Sequence, residues 1–319
     1  MSLTPTLGRR SILRLAAAAA AALALPVRAQ PKDSLRIGYQ KYGTLILLKA
    51  RGDLEKRLAP LGIEVKWTEF PAGPQLLEGL NVGSIDFGTV GEAPPIFAQA
   101  AGADLVYVAN EPPAPASEAI IVPKDSPVRS VADLKGKKVA LNKGSNVHYL
   151  LVKALQKHGL AYKDVEVVFL PPADARAAFE RGSVDAWVIW DPFLAAAEKQ
   201  IGARIVADGI GTVSNHQFYL ASRGYAQRRQ EVLEAVIEEI GKLDGWAKQN
   251  PKEVSAFLAP VVGLDGPTAE LAVSRYSYGV RPIGEGVIVE QQKIADTFFE
   301  LKLIPKQIRV RDAVWPPRP

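Results

Sequence analysis

Backbone and side-chain donors recur where a strand gives way to a helix: Gln40-Lys41-Tyr42-Gly43-Thr44, Gly91-Glu92-Ala93 ahead of Pro94-Pro95, Lys143-Gly144-Ser145-Asn146, and Trp190-Asp191-Pro192. A helix start carries amides with no partner inside the helix, and the macrodipole adds partial positive charge there. Several such starts gathered at one place make a receptor for an anion. Glycine lets an oxygen approach the backbone closely. Proline in a first turn has no amide, so donors must come from the residues ahead of it.

At the first start Gly43 and Thr44 each offer an amide and Gln40 a side-chain donor, although a plain turn with an N-cap has the same composition. At the second, Gly91 offers its backbone. Glu92 would repel an anion, so it reads as a cap for its own helix or as the partner of an ammonium group on the ligand. At the third, Ser145 is a cap candidate and Asn146 can reach an oxygen. His148 points either into a cleft or, as lone histidines commonly do, to a structural hydrogen bond. At the fourth, alternation along 186–190 puts Trp187 and Ile189 on one face and Val188 and Trp190 on the other. Trp190, at the carboxyl end, then makes a wall for an apolar tail, while Asp191 before proline reads first as a cap. Ser117, where the chain crosses between two blocks, completes the set of ligand-binding candidates.

Other chemistries lack their residues. His148, His158 and His216 show no metal-ligand spacing, and there is no cysteine to join them or to act as a nucleophile. No catalytic group, metal site or cofactor is therefore assigned. There is no phosphate loop and no Gly-x-Ser-x-Gly elbow, and Gly209-Ile210-Gly211 lacks the third glycine of a dinucleotide fingerprint. The formal charge of +5 invites a nucleic-acid reading. However, Arg9, Arg10, Arg14 and Arg28 stand in the first 29 residues with no acid. Setting those four aside leaves 35 of the 39 basic residues against 34 acids, too even a balance to hold a polyphosphate.

The elements that must position these residues alternate. Strands are expected at 35–39, 63–67, 85–88 and 105–108, with helices at 43–58, 74–82 and 94–101 between them. The proline-dense 111–116 is a connector. An extended crossing at 119–122 opens a second series: strands 138–141, 165–170, 185–190 and 204–207 with helices 147–158, 175–181 and 192–201. A further extended run at 218–221 leads into a mainly helical remainder at 229–249, 251–258, 268–276 and 287–301. Such alternation predicts an α/β protein with mostly parallel sheets. Two crossings around a complete block imply two lobes: 30–118 with 219–319, and an inserted 119–218. The lobes join through a two-strand hinge, with the binding cleft between them at the carboxyl ends of the strands.

Residues 1–29 read as a cleaved export signal. Arg9-Arg10-Ser11-Ile12-Leu13 precedes an alanine- and leucine-rich run to Leu25, and Val27-Arg28-Ala29 has small residues at the peptidase positions, which predicts cleavage after Ala29. The paired arginines resemble a twin-arginine signal, although a Sec signal also accommodates them. With no cysteine to acylate, a soluble periplasmic product without a lipid anchor is expected. The only methionine is Met1, so the processed chain would contain no sulfur. Synthesis during sulfur shortage explains this economically; genome bias and resistance to oxidation compete as explanations.

The motifs at the helix starts, together with Phe70-Pro71-Ala72-Gly73-Pro74-Gln75, Gly83-Ser84-Ile85-Asp86-Phe87-Gly88, the 131–140 segment around Asp133-Leu134-Lys135-Gly136-Lys137-Lys138, and Trp190-Asp191-Pro192-Phe193, resemble the aliphatic-sulfonate-binding proteins of ABC importers. The resemblance spans essentially the whole chain beyond the signal. Pro172-Ala173-Asp174-Ala175-Arg176 favours sulfonates within the sulfonate, taurine and nitrate group. It implies a periplasmic-binding-protein-like (type II) clamshell, an alkanesulfonate ligand, a permease and its ATPase as partners, and a monomer that captures and releases its ligand unaltered. The rivals are a binder of taurine, nitrate or another small anion, and an enzyme of the thiamine-pyrimidine synthase group. The latter shares the clamshell, but its chemistry goes with a cysteine-rich motif absent here.

Overall fold

The computed structural model describes residues 33–316; the expected export signal and its cleavage point lie outside them. The first series comprises β1 (Asp33–Tyr39), α1 (Thr44–Arg51), α2 (Asp53–Leu58), β2 (Ile63–Glu69), α3 (Gly73–Asn81), β3 (Phe87–Gly91), α4 (Pro94–Ala100) and β4 (Leu105–Asn110). The second comprises β5 (Glu118–Val122), β6 (Lys138–Leu141), α5 (Asn146–Lys157), β7 (Glu166–Phe169), α6 (Pro172–Glu180), β8 (Ala186–Trp190), α7 (Phe193–Ile201) and β9 (Arg204–Asp208). The chain continues through β10 (Gln217–Ser222), α8 (Arg223–Arg228), α9 (Gln230–Gln249), α10 (Pro251–Val262), α11 (Gly266–Val273) and α12 (Glu285–Glu300).

The strands form two five-stranded sheets, ordered β2-β1-β3-β10-β4 and β7-β6-β8-β5-β9. Each sheet contains a crossing strand that runs against its neighbours: β10 is antiparallel to β3 and β4, and β5 to β8 and β9. The β1–β3, β6–β7 and β6–β8 pairs are parallel. Strands covered on both faces must be apolar throughout. β5 and β3 are buried end to end, and β8 up to its last residue. In the second sheet Ile120 and Val188 face α5, while Ile121, Trp187 and Ile189 face the α6 and α7 side. The alternation expected at Trp187 and Ile189 is therefore realised. The first sheet is likewise covered on both faces, by α1 and α9 on one and by α3, α4 and α12 on the other.

The two-lobed α/β architecture matches the expectation, with local corrections. Gln217 and Phe218, assigned to the inserted block, pair with Gly91 and Val90 of the first sheet. Glu118, assigned to the outer part, pairs with Trp190. The helix expected at 43–58 breaks at Gly52, whose left-handed backbone (φ 66°) ends α1 while its amide bonds to the Leu48 carbonyl at 3.2 Å. The strand expected from Ile85 begins only at Phe87. Asp86 instead receives the Arg36 backbone amide at 3.0 Å and its Nε at 2.9 Å.

Candidate functional site

Four helix starts converge between the sheets. A cavity partly open to solvent is bordered by Tyr42 ahead of α1, Gly73 at the start of α3, Gly91 at the end of β3 and Pro94 at the start of α4. The second lobe contributes Ser145 and Asn146 at the start of α5 and Trp190 at the end of β8. Gln40, Asn215 and Gln217 complete the lining. No side chain caps α1, α3 or α5; the His148 amide of α5 turns to the Ser145 carbonyl at 3.0 Å and Pro74 of α3 has no amide, so it is the remaining first-turn amides that are left for another acceptor. None of the lining residues carries a formal charge.

The predicted residues divide into two groups. Gln40, Gly91, Ser145, Asn146 and Trp190 line the cavity. Gln40 donates from Nε2 to the Thr89 carbonyl at 3.1 Å, which fixes the side chain beside the cavity. Ser145 occupies the N-cap position but does not cap; its Oγ turns to the Asn142 carbonyl at 2.6 Å. Asn146 reaches across to the first lobe, accepting from the Ala93 amide at 3.3 Å through Oδ1 and donating through Nδ2 to Asn215. Gly91 makes this possible, because a Cβ there would overlap the Asn146 carboxamide.

Gly43, Thr44, Glu92, Ser117, His148 and Asp191 are not among the residues bordering the cavity. Gly43 adopts φ 73° and ψ −164°, a region nearly closed to residues with a Cβ, and delivers the chain into α1. The Thr44 hydroxyl faces a buried acid cluster instead, at 2.6 Å from Asp244 Oδ1 and 3.2 Å from Glu111 Oε1. Burial, followed by the Asp244 charge, pushes the Glu111 carboxyl up to about 8. Glu92 neither caps α4 nor faces the cavity: its Oε2 receives the His216 amide at 3.0 Å, and burial pushes it up to about 7.

Ser117 ties the two crossings together. Its Oγ donates to the Ala114 carbonyl at 2.8 Å and accepts from Asn215 Nδ2 at 3.0 Å. Asn215 Nδ2 also reaches the Ala114 carbonyl at 2.9 Å. His148 is structural: its Nδ1 accepts from the Gly144 amide at 3.2 Å and its Nε2 meets the Tyr162 hydroxyl at 2.7 Å. Burial pulls it down to about 4, so the ring is neutral. Asp191 stands one residue ahead of the N-cap position of α7, which Pro192 occupies, so it is not the N-cap that was expected; its Oδ1 accepts the Ala195 amide at 2.9 Å and its Oδ2 faces Arg275 at 3.5 Å. Burial outweighs Arg275 and pushes Asp191 up to about 7.

Tyr42, Gly73, Pro94, Asn215 and Gln217 also line the cavity and were not among the expected residues. The proline-flanked Gly73 was a readable helix start. Asn215, in a left-handed turn (φ 52°) on the return crossing, carried no sequence signal. Among the described residues no cluster of His, Cys, Asp or Glu is placed to hold a metal ion.

Residues 59–258 match the family model described as NMT1/THI5 like. An Escherichia coli K12 relative, provisionally named an aliphatic sulfonates-binding protein, is 44% identical over 313 residues, covering 97% of both chains. The structure of the alkanesulfonate-binding protein SsuA from Xanthomonas axonopodis pv. citri bound to MOPS superposes with a TM-score of 0.85 at 45% identity, over 90% of this chain and 99% of that one. The periplasmic aliphatic sulphonate binding protein SsuA from Escherichia coli gives 0.81 at 45% identity, over 91% of this chain and 94% of that one. These relatives are named as binding proteins, not enzymes. With a neutral cleft built from helix starts between two α/β lobes, this chain belongs to the aliphatic sulfonate-binding proteins of the NMT1/THI5-like family.

Proposed function

We propose that the protein is the periplasmic capture component of an ABC importer and takes up alkanesulfonates. The observation that carries this reading is the charge-free lining of a cavity formed by uncapped helix starts. A sulfonate is ionised at every physiological pH and needs donors, not a counter-ion that titrates. The lobe built on the first sheet receives the anion first, and closure brings the α5 start onto it, with bending at the two connections near 111–117 and 209–216 that join β4 to β5 and β9 to β10. The ligand shifts the open–closed balance only through its extra contacts in the closed form. A permease and its ATPase then accept the closed form, and residues 1–29 direct export before removal, leaving a monomer without a lipid anchor.

Taurine is the weaker reading, because its ammonium would need a carboxylate in the cavity and Glu92 is turned away from it. A thermal-shift panel of alkanesulfonates, taurine, nitrate and a formylaminopyrimidine tests the assignment. Ligand at a thousandfold excess over its Kd adds roughly 4 kcal/mol, several degrees for a chain of this size. A response to nitrate or the pyrimidine without one to any sulfonate overturns it.

A further inference from the structure

The segment that follows α11 reaches a cavity wall of each lobe from behind. The Tyr276 ring lies 4.6 Å from that of Tyr42, centre to centre, and Tyr42 borders the cavity. Its neighbour Arg275 turns to the other lobe. Nη2 donates to Glu198 Oε2 on α7 at 2.6 Å, and Nη1 faces Oδ2 of Asp191, which directly follows the cavity-lining Trp190, at 3.5 Å. The two sides of this contact are anchored in different cores. Val273 belongs to the core around α1 and α9, and Tyr276 packs against it, whereas Leu194 and Ala197 of α7 belong to the core on the α6 and α7 side of the second sheet. A guanidinium suits the place because its planar fork serves two carboxyls at once. The Arg275 side chain is 15% exposed, so salt and water screen it less than a surface pair.

We propose that Arg275 is a positioning residue for ligand capture: a strut from the first lobe that holds the Trp190–Asp191 turn and α7 of the second lobe in the closed arrangement. This rests on the closure and sulfonate reading above. Arg275 does not border the cavity, so it acts on the ligand through Trp190. Opening draws the two cores apart and breaks the Glu198 pair, whereas an arriving anion meets the open first lobe before the pair forms. The strut therefore sets how fast the ligand leaves and not how fast it arrives.

Stopped-flow tryptophan fluorescence with butanesulfonate on the purified protein tests this. Glu198→Gln keeps the side chain's shape at a partly exposed position and removes its charge. It should speed release about fivefold and leave the association rate within about twofold. Arg275→Lys keeps a cation beside Asp191 but loses the fork, and should speed release about threefold. The double variant should release about as fast as Glu198→Gln alone, because both changes remove one contact. Effects that multiply to about fifteenfold in the double variant would mean independent packing losses and would overturn the strut. Slower association with release unchanged would overturn it too. Binding by the wild type with release unmoved in both single variants overturns the strut and leaves the sulfonate reading standing. If no sulfonate binds the wild type, the sulfonate reading falls and the strut falls with it.

Discussion

The cavity and the seam behind it are built from the same stretches of chain but are electrostatically opposite. The cavity lining carries no formal charge. The seam holds Glu92, Glu111, Glu118 and Asp191, all nearly or fully buried. Burial is the first cause of every upward shift among them: Glu92 and Asp191 to about 7, Glu111 to about 8, and Glu118 well above the carboxylate range. Glu111 and Glu118 are thereby held largely protonated at neutral pH, and an acid in that state exerts little repulsion on an anion nearby. Three of these carboxyls join separate elements or a helix start: Glu92 takes the His216 amide, Glu111 the Thr44 and Tyr219 hydroxyls, and Asp191 the Ala195 amide.

Removing a charge from the seam should produce the largest effect. Arg275 pairs with buried Asp191 and also donates to Glu198 at 2.6 Å. Arg275→Met leaves Asp191 without its cation and should cost about 3 kcal/mol of stability at pH 8. The loss shrinks toward pH 6, where protonation removes the stranded charge. Denaturant melts at the two pH values check this, and equal losses at both would separate Asp191 from the effect. In the cavity, Gly91→Ala forces a Cβ onto Asn146 and should cost about 2 kcal/mol in binding, about thirtyfold in Kd. The Gly91→Ala/Asn146→Ala double variant should recover part of that affinity; no recovery would argue against the close approach as the cause.

A smaller effect, with a defined pH direction, is expected in the acid cluster. The Glu111 carboxyl titrates near 4.5 when free and at about 8 in the fold. Between those values the folded state holds more protons, so this group makes stability fall as pH rises. Glu111→Gln keeps an acceptor for the Tyr219 hydroxyl and lacks the titration. Its melting temperature relative to wild type should therefore climb by a few degrees from pH 5 to pH 8; a constant difference would contradict the buried carboxyl. The smallest effect belongs to Lys137, which is 3.9 Å from Asp185 with both side chains well exposed. Lys137→Ala should change stability by less than about 0.5 kcal/mol and leave ligand affinity unchanged.

The alternation of strands and helices was legible because both sheets are covered on two faces, which writes apolar runs directly into the sequence. Helix starts were legible through glycine and proline, which is how Gly91, Ser145 and Asn146 were found. Which side of a start faces the cavity was not, because that depends on partners distant in sequence. Glu92 is turned by the His216 amide and Thr44 by Asp244, and neither contact has a local pattern. Asp191 was expected at the N-cap, which Pro192 occupies instead; only its role as a local acceptor, for the amide four residues along the chain, was legible. The Gly52 break was missed because the flanking leucines keep helical spacing across it.

The stitching of the two chain passages has a mechanical consequence. Asn215 on the return passage grips both Ala114 and Ser117 on the outgoing one, and Ser117 in turn receives the Asp191 amide at 2.8 Å. Two ribbons sewn together flex as a single leaf spring. In the closure proposed above, this stitching would resist sliding of one passage past the other and favour rotation about a common axis.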